Sequence, residues 1–228
     1  METSHSPMSV AVVKADKTWL KVGAEWQRAS EEIMPLIEST LRDAALTPSD
    51  LDAIALSIGP GSFTALRIGL STAKGLCFAL ERPLITVGTL EALAHAAIDT
   101  LHRQQRCAQR LVPLVYSKAD EFFVGEVETS LLRENVLAEI PKSYLTLAEI
   151  ERRFPKGTGA VVYGRSPEKW RQRLLTTLDW VEADFSAQSL LVIAREKWQQ
   201  RLLTDLASAE PLYLKDFEAR VSTKKFVG

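Results

Sequence analysis

The stretch Ile54-Ala55-Leu56-Ser57-Ile58-Gly59-Pro60-Gly61-Ser62, running into Phe63-Thr64-Ala65-Leu66-Arg67-Ile68-Gly69, decides the fold. Residues 54–58 are a short apolar run that suits a strand buried on both faces. The loop Gly59-Pro60-Gly61-Ser62 breaks it, and a long helix is predicted from Phe63. Two readings of the loop stand side by side. Its backbone N–H groups and the positive end of the helix dipole suit a phosphate or carboxylate. Equally, the glycines let a strand turn sharply into a tightly packed helix. The Gly-Lys-Ser/Thr of a P-loop does not follow, and the stretch does not spell GxGxxG.

Outward from this stretch the same alternation continues. Ser9 to Val13 reads as a strand, Ala15-Asp16-Lys17 as a turn and Thr18 to Val22 as its hairpin partner. From Ser30, a plausible N-cap, the apolar residues Ile33, Leu36, Ile37, Leu41 and Ala44 take helical spacing, and Thr47-Pro48 ends the run. Pro83 to Val87 is a strand and Leu90 to about Gln105 a helix, so the class is α/β with mixed sheets. A second cycle begins at Leu111 to Val115, continues through a hairpin strand at Glu121 to Glu128, and adds a strand at Ala160 to Tyr163 and a helix from Pro167 to Leu178. The polar, basic segment Gln105 to Arg110 marks the joint. The expected domains are 1–106, with the interface helices; 107–186, smaller; and 187–228, a helix from roughly Ala187 to Leu203 and a tail returning toward the first domain through the extended Glu210-Pro211-Leu212-Tyr213-Leu214.

Composition narrows the function. The 228 residues are 46% hydrophobic and 25% charged, enough for a sizeable core. With 28 Lys+Arg against 29 Asp+Glu the net charge is −1, so no global basic field draws in tRNA or an anionic membrane. Cys77 and Cys107 lack the spacing of a zinc site or a disulfide framework, which fits a reducing compartment. No secretory signal follows Met1, and the apolar run Phe63 to Leu80 is interrupted by Arg67 and Lys74, so the expected location is the cytoplasm with no membrane contact. His5, His95 and His102 are scattered, without a second ligand at metal spacing on one helix face. No metal site, nucleophile–base pair or cofactor is therefore expected on this chain.

The helix after the loop is rich in small residues: Ala65, Gly69, Ser71, Ala73, Gly75 and Ala79. Each interior glycine costs about 1 kcal/mol relative to alanine, so close approach of another backbone is the expected compensation. That backbone belongs either to this chain's own sheet or to a partner subunit. The partner reading would use whichever of Leu66, Leu70, Ala73 and Lys74 faces outward.

Gly59-Pro60-Gly61-Ser62-Phe63-Thr64, followed by Leu66-Arg67-Ile68-Gly69 and Gly75-Leu76, resembles the most distinctive stretch of the TsaB (YeaZ) family. Glu2-Thr3-Ser4, Val10-Ala11-Val12, Pro35-Leu36-Ile37, Val87 to Ala94 and Glu210 to Asp216 agree in order and spacing, strongly over residues 54–95 and weakly between about 125 and 205. The resemblance implies an actin-like (ASKHA, RNase H-type) pair of domains. It implies a non-catalytic scaffold or activating subunit in forming N6-threonylcarbamoyladenosine at position 37 of tRNAs reading ANN codons. The partners it implies are TsaD, which binds metal and transfers the threonylcarbamoyl group, and the ATPase TsaE, with ATP and metal on those subunits. The resemblance puts the contact on the first helix and the helix after the glycine loop, which implies Met34, Ile37 and Leu41 on the one and Leu66, Gly69, Leu70, Ala73 and Lys74 on the other. tRNA would be met only through the complex, and a homodimer through the same helices would compete with TsaD.

Four departures from the family pattern stand out. Ala65 replaces a glycine, Ala29 a histidine, and Tyr116-Ser117-Lys118 an Asp-Ala-Arg, with Glu121 kept after it. An apolar strand normally precedes the acidic-Thr-Ser motif, whereas Met1 stands directly before Glu2, so the natural start is expected upstream. Two alternatives belong to other classes. A small-molecule kinase or nucleotide-binding module would use Glu2, but the second half offers only Gly125, Gly157, Gly159 and Gly164 as phosphate-loop glycines. An M22-like peptidase would need metal ligands or an activated nucleophile.

Overall fold

The computed structural model describes residues 1–5, 7–23, 29–157, 160–163, 168–177 and 179–214. Gly159, Gly164, Pro167, Leu178, Lys215 and Asp216 lie outside them. The strands β1 (Ser9–Lys14) and β2 (Lys17–Val22) form the expected antiparallel hairpin, and α1 (Ala29–Asp43) follows. β3 (Ile54–Gly59), α2 (Phe63–Leu80) and β4 (Leu84–Gly88) make a parallel crossover, and α3 (Thr89–Arg103) leaves the end of β4.

Residues 1–4 stitch the hairpin to the β3–β4 pair. Glu2 bridges Ser9, the Ser57 amide donates to the Met1 carbonyl at 3.1 Å, and the terminal amine of Met1 donates to the Ala55 carbonyl at 2.7 Å. Over this layer α1 and α2 lie together, burying Val10, Val12, Ile33, Ile37, Leu41, Ile54, Leu56, Leu70, Ala73 and Cys77 in one core.

The second layer is a five-stranded mixed sheet. Its order is β11 (Trp180–Glu182), β10 (Ala160–Tyr163), β6 (Pro113–Lys118), β7 (Glu121–Gly125), β9 (Lys142–Thr146). β10 is parallel to β6 and β11, and β7 runs antiparallel to β6 and β9. The two-residue period of its strands divides the side chains between two cores. Leu114, Phe122 and Val124 face α5 (Leu147–Arg153) and α6 (Glu168–Thr177), where Leu147, Ile150 and Leu174 are buried. Val115 and Phe123 face the core that holds Leu90, Leu93, Ala94 and Ala97 of α3. α3 also reaches the first layer, since Ala92 packs with Ile85 and Val87 of β4.

The remaining elements lie at edges. β5 (Arg110–Leu111) pairs with β8 (Val127–Glu128), just before α4 (Thr129–Glu134). The predicted helix over 187–203 is shorter: one 3-10 turn at Ala187–Leu190, then α7 (Leu191–Gln199). Arg201 takes a left-handed backbone at φ 58°, and the chain turns so that Thr204 pairs with Leu84 on the edge of β4. Among the described residues α2 alone has the length and apolarity to cross a bilayer, and its buried stripe is spent on the first core.

Candidate functional site: the glycine loop and the face of helix α2

Gly59 has φ 115°, which excludes a side chain without strain, and a Cβ there would lie 2.9 Å from the Leu212 carbonyl oxygen. At Gly61 a Cβ would fall 2.5 Å from the Ser4 carbonyl oxygen, and at Gly69 it would overlap the Thr3 hydroxyl. The Ser62 amide donates to the Ser4 carbonyl at 2.8 Å, while the Ser62 hydroxyl caps α2 by accepting from the Ala65 amide at 3.5 Å. Of the two sequence readings, close packing therefore explains the glycines. The loop wedges residues 3–4 against the start of α2, and one of its amides is already committed to Ser4.

Beneath the loop sits a buried polar cluster. Glu2 is fully buried, and its Oε1 accepts from the Ser4 amide at 2.6 Å and the Ser4 hydroxyl at 2.5 Å. The Thr3 amide donates to the Ser57 hydroxyl at 3.2 Å. Burial pushes the Glu2 carboxyl above its ordinary value, partly offset by the bonds from Ser4. The Ser4 hydroxyl is also 3.0 Å from His5 Nδ1. Desolvation drives the imidazole down to about 4, so it is neutral at pH 7. In the second layer the Tyr144 hydroxyl reaches Ser117 at 3.0 Å and Glu121 at 2.7 Å, tying together two positions near the altered Tyr116-Ser117-Lys118 segment.

The eight residues selected for a partner contact divide sharply. Ile37, Leu41, Leu66, Gly69, Leu70 and Ala73 are buried within this chain. Met34 is 40% exposed, and Lys74, half-buried, donates to the Ala207 carbonyl at 3.3 Å. The expectation that Leu70 or Ala73 faces outward is thus corrected: both lie on the stripe of α2 that rests on β3 and α1. The outward face is instead Phe63, Arg67, Ser71 and Phe78, the last 81% exposed. These four fall within about 80° of one another at 3.6 residues per turn. Sequence reading missed Phe63 and Phe78, although their phase, offset from the buried Leu66, Leu70, Ala73 and Cys77, was a readable signal.

The C-terminal segment completes this surface. The Leu212 amide donates to the Ile58 carbonyl at 2.8 Å, Ala209 joins the first core, and the Tyr213 ring stacks on Phe63 with centroids 5.1 Å apart. Among the described residues, no three His, Cys, Asp or Glu side chains come together in a way that would hold a metal.

Two α/β layers joined through a shared helix, with a glycine loop at the end of a parallel strand, define the actin-like class of fold. A solved structure titled YeaZ from Pseudomonas aeruginosa shares it, with a TM-score of 0.71 at 22% identity, covering 93% of this chain and 97% of that one. A family model described as TsaD, tRNA N6-adenosine threonylcarbamoyltransferase, matches residues 26–221. The Haemophilus influenzae tRNA threonylcarbamoyladenosine biosynthesis protein TsaB is 27% identical over the whole chain and 96% of its own length. The TsaB of Buchnera aphidicola subsp. Schizaphis graminum is 30% identical over 68% of this chain and 71% of its own. The chain belongs to the family that this model describes, in its TsaB branch.

Proposed function

We propose that this protein is an accessory subunit in the biosynthesis of N6-threonylcarbamoyladenosine in tRNA. In this reading it works in the cytoplasm, as a non-catalytic partner that engages a TsaD-type subunit through the outward faces of α1 and α2. The observation that carries it is the unburied side of α2, with Phe78 81% exposed, in a chain that matches TsaB-type relatives along its length. An apolar helix face left in water costs about 25 cal/mol for each Å² that a partner would cover. The family plan supports a pairing of like with like, because the TsaD model matches α1, α2 and the sheet between them. TsaE, and tRNA held by the assembled complex, complete the proposed set of partners. The division at 105–110 remains part of the proposal, with residues 1–106 as the associating domain.

The test is light scattering on this chain mixed with the TsaD-type subunit of its own organism, followed by a tRNA threonylcarbamoylation assay. A one-to-one complex that restores modification is the expected outcome. A chain that neither binds that subunit nor stimulates modification overturns the reading.

A further inference from the structure

The two layers meet along a helix face that does little to fix how they sit. α3 presents Leu90, Leu93, Ala94 and Ala97 to the second sheet. This stripe repeats at helical spacing in small or similar side chains, so a slide by one turn, about 5 Å, would bury much the same apolar groups. Its polar contacts there go mostly to backbone. His95 Nε2 lies 3.0 Å from the Val136 carbonyl, and the Asp184 amide donates to the Thr100 hydroxyl at 3.5 Å. A backbone offers such partners at every residue. Arg103 and Asp184 are 3.8 Å apart and largely exposed, and a surface pair of this kind contributes little.

One contact differs in kind. The first turn of α3 seats Leu90 beside Gly125 of β7, where a Cβ would stand 2.8 Å from Ile140, 2.9 Å from Pro113 and 3.6 Å from the Leu90 Cβ. Opposite Gly125 in the sheet register is Lys142 of β9, whose ammonium donates to Glu91 Oε1 and, at 3.1 Å, to the Ile140 carbonyl. With side chains 16% and 20% exposed, Glu91 and Lys142 form the most deeply buried ion pair among the described residues. The local backbone is shaped around the carboxylate. It lies over Gly88, where a Cβ would overlap it, and at the N-terminal end of α3, which favours negative charge. Lys197, a second cation within range of Glu91, is committed to the Thr86 carbonyl at 2.8 Å.

Stability alone does not account for the pair. Glu91 Oε2 and the Thr89 hydroxyl are buried without a hydrogen-bond partner among the described residues. A buried pair that is only partly satisfied recovers little of its desolvation cost, and well-packed apolar side chains usually stabilise as much or more. What the pair supplies, and alanine and leucine do not, is a mate that exists in one register only. We infer that Glu91 and Lys142 are the register lock between α3 and the second sheet, holding the two layers in a single placement. A slide by one turn parts the two charges in a place that water reaches poorly, and that cost excludes it.

Distances across the layers test it. Spin labels at Lys17→Cys in β2 and Arg152→Cys in α5, both exposed positions, report the separation of the layers by double electron–electron resonance on the full chain. Cys107→Ser removes the exposed native thiol, Cys77 is buried, and unlabelled chain in excess limits the signal to distances within one molecule. The parent should give one narrow distribution. Glu91→Leu combined with Lys142→Met should add a second population displaced by up to about 5 Å, one helical turn. Lys142→Met alone strands a buried carboxylate and should raise the unfolding constant by about hundredfold, whereas the double variant should be at least as stable as that single variant.

A pair that merely stabilises would lower the melting temperature of the double variant and leave its distances alone. A double variant that keeps the parental distribution therefore overturns the proposal at any stability, and so does a parent chain whose own distribution is already broad. If the double variant does not fold, Glu91→Gln, which keeps the side-chain shape and removes the charge, takes its place. One narrow parental distribution in that variant overturns the proposal as well.

Discussion

Helices α2 and α3 begin alike and end in opposite circumstances. Each follows a parallel strand that closes on glycine, Gly59 or Gly88, and each is built largely from alanine, leucine and other small residues. Yet Leu90 and the run Ala92 to Ala97 of α3 are all buried, because sheets approach it from two sides and alanine lets them come close. α2 meets a sheet on one side only. Its buried stripe is Leu66, Gly69, Leu70, Ala73 and Cys77, and its far side leaves Phe63 and Phe78 facing water. A helix apolar all round belongs in a protein interior. Over Leu90 and Ala92 to Ala97, α3 has reached that state within the chain, whereas α2 keeps one exposed face, the face assigned above to a partner. This contrast, rather than any constellation of reactive groups, is the strongest functional signal in the molecule.

The contrast can be broken most directly by placing a charge at equivalent small residues. Ala94→Asp in α3 and Ala73→Asp on the buried stripe of α2, both fully buried, should each cost about 4 kcal/mol or more, enough to unfold a marginal domain. Ser71→Asp on the outward face of α2 should move stability by no more than about 0.5 kcal/mol. Urea titrations of the three variants decide the matter. Comparable losses at Ser71 and Ala73 would mean that α2 has no free side.

Each region also holds one histidine that titrates below its ordinary value, His5 beneath the glycine loop and His95 inside α3. Burial is the first cause for both, and His95 offsets part of it through a 3.0 Å contact with the Val136 carbonyl. The folded state binds its proton less readily than the unfolded chain. Stability from each neutral imidazole is therefore complete above about pH 6.5 and is lost as pH falls through the folded value. For His5 the window runs from 6.5 down to about 4, an effect of at most about 3 kcal/mol. Melting temperatures between pH 7 and pH 4 should fall less steeply for His5→Gln than for the parent. His95→Gln should flatten the profile in the same sense. An unchanged slope in His5→Gln would show that the loop region opens to water before it unfolds.

How much of this could be read from the sequence differs by region for physical reasons. The β3–α2–β4–α3 run was legible because short, near-continuous apolar strands there alternate with long helical stretches, and glycine or proline marks the breaks between them. β9 escaped notice: Lys142–Thr146 is an edge strand whose residues are all only half-buried, so its alternation is faint. α5 was passed over although Thr146 and Glu149 spell a capping box, with the Thr146 amide donating to Glu149 at 2.8 Å. The terminal helix was drawn too long because Arg201 adopts a left-handed backbone that no glycine or asparagine announces. At the site, periodicity revealed an apolar stripe on α2 but not whether that stripe or its opposite met the sheet. The stack of Phe63, Arg67 and Tyr213 joins residues 146 positions apart and is visible only in three dimensions.

The smallest expected effects come from two glycines of α2, and they sharpen the comparison most finely because one substitution should act with opposite signs. At Gly69 an added methyl would overlap the Thr3 hydroxyl and stand 3.0 Å from Thr3 Cβ. Rotating the Thr3 side chain relieves only the first contact, since Thr3 is buried and its amide is bound to Ser57. Gly69→Ala should therefore destabilise by about 2 kcal/mol, the usual cost of overpacking. Nothing lies within 4 Å of a Cβ at Gly75, which is exposed in mid-helix. Gly75→Ala should stabilise the isolated chain by about 0.5–1 kcal/mol, because alanine loses less backbone entropy on folding. A helix serving only its own fold would have little use for glycine at that position. If another backbone approaches α2 there, the same methyl that raises the melting temperature should weaken association. Calorimetry of the chain alone, set beside its titration with a partner, reads both quantities from one variant. A Gly75→Ala chain that is more stable and binds as tightly as the parent would place the contact elsewhere on α2, toward Phe63 and Arg67.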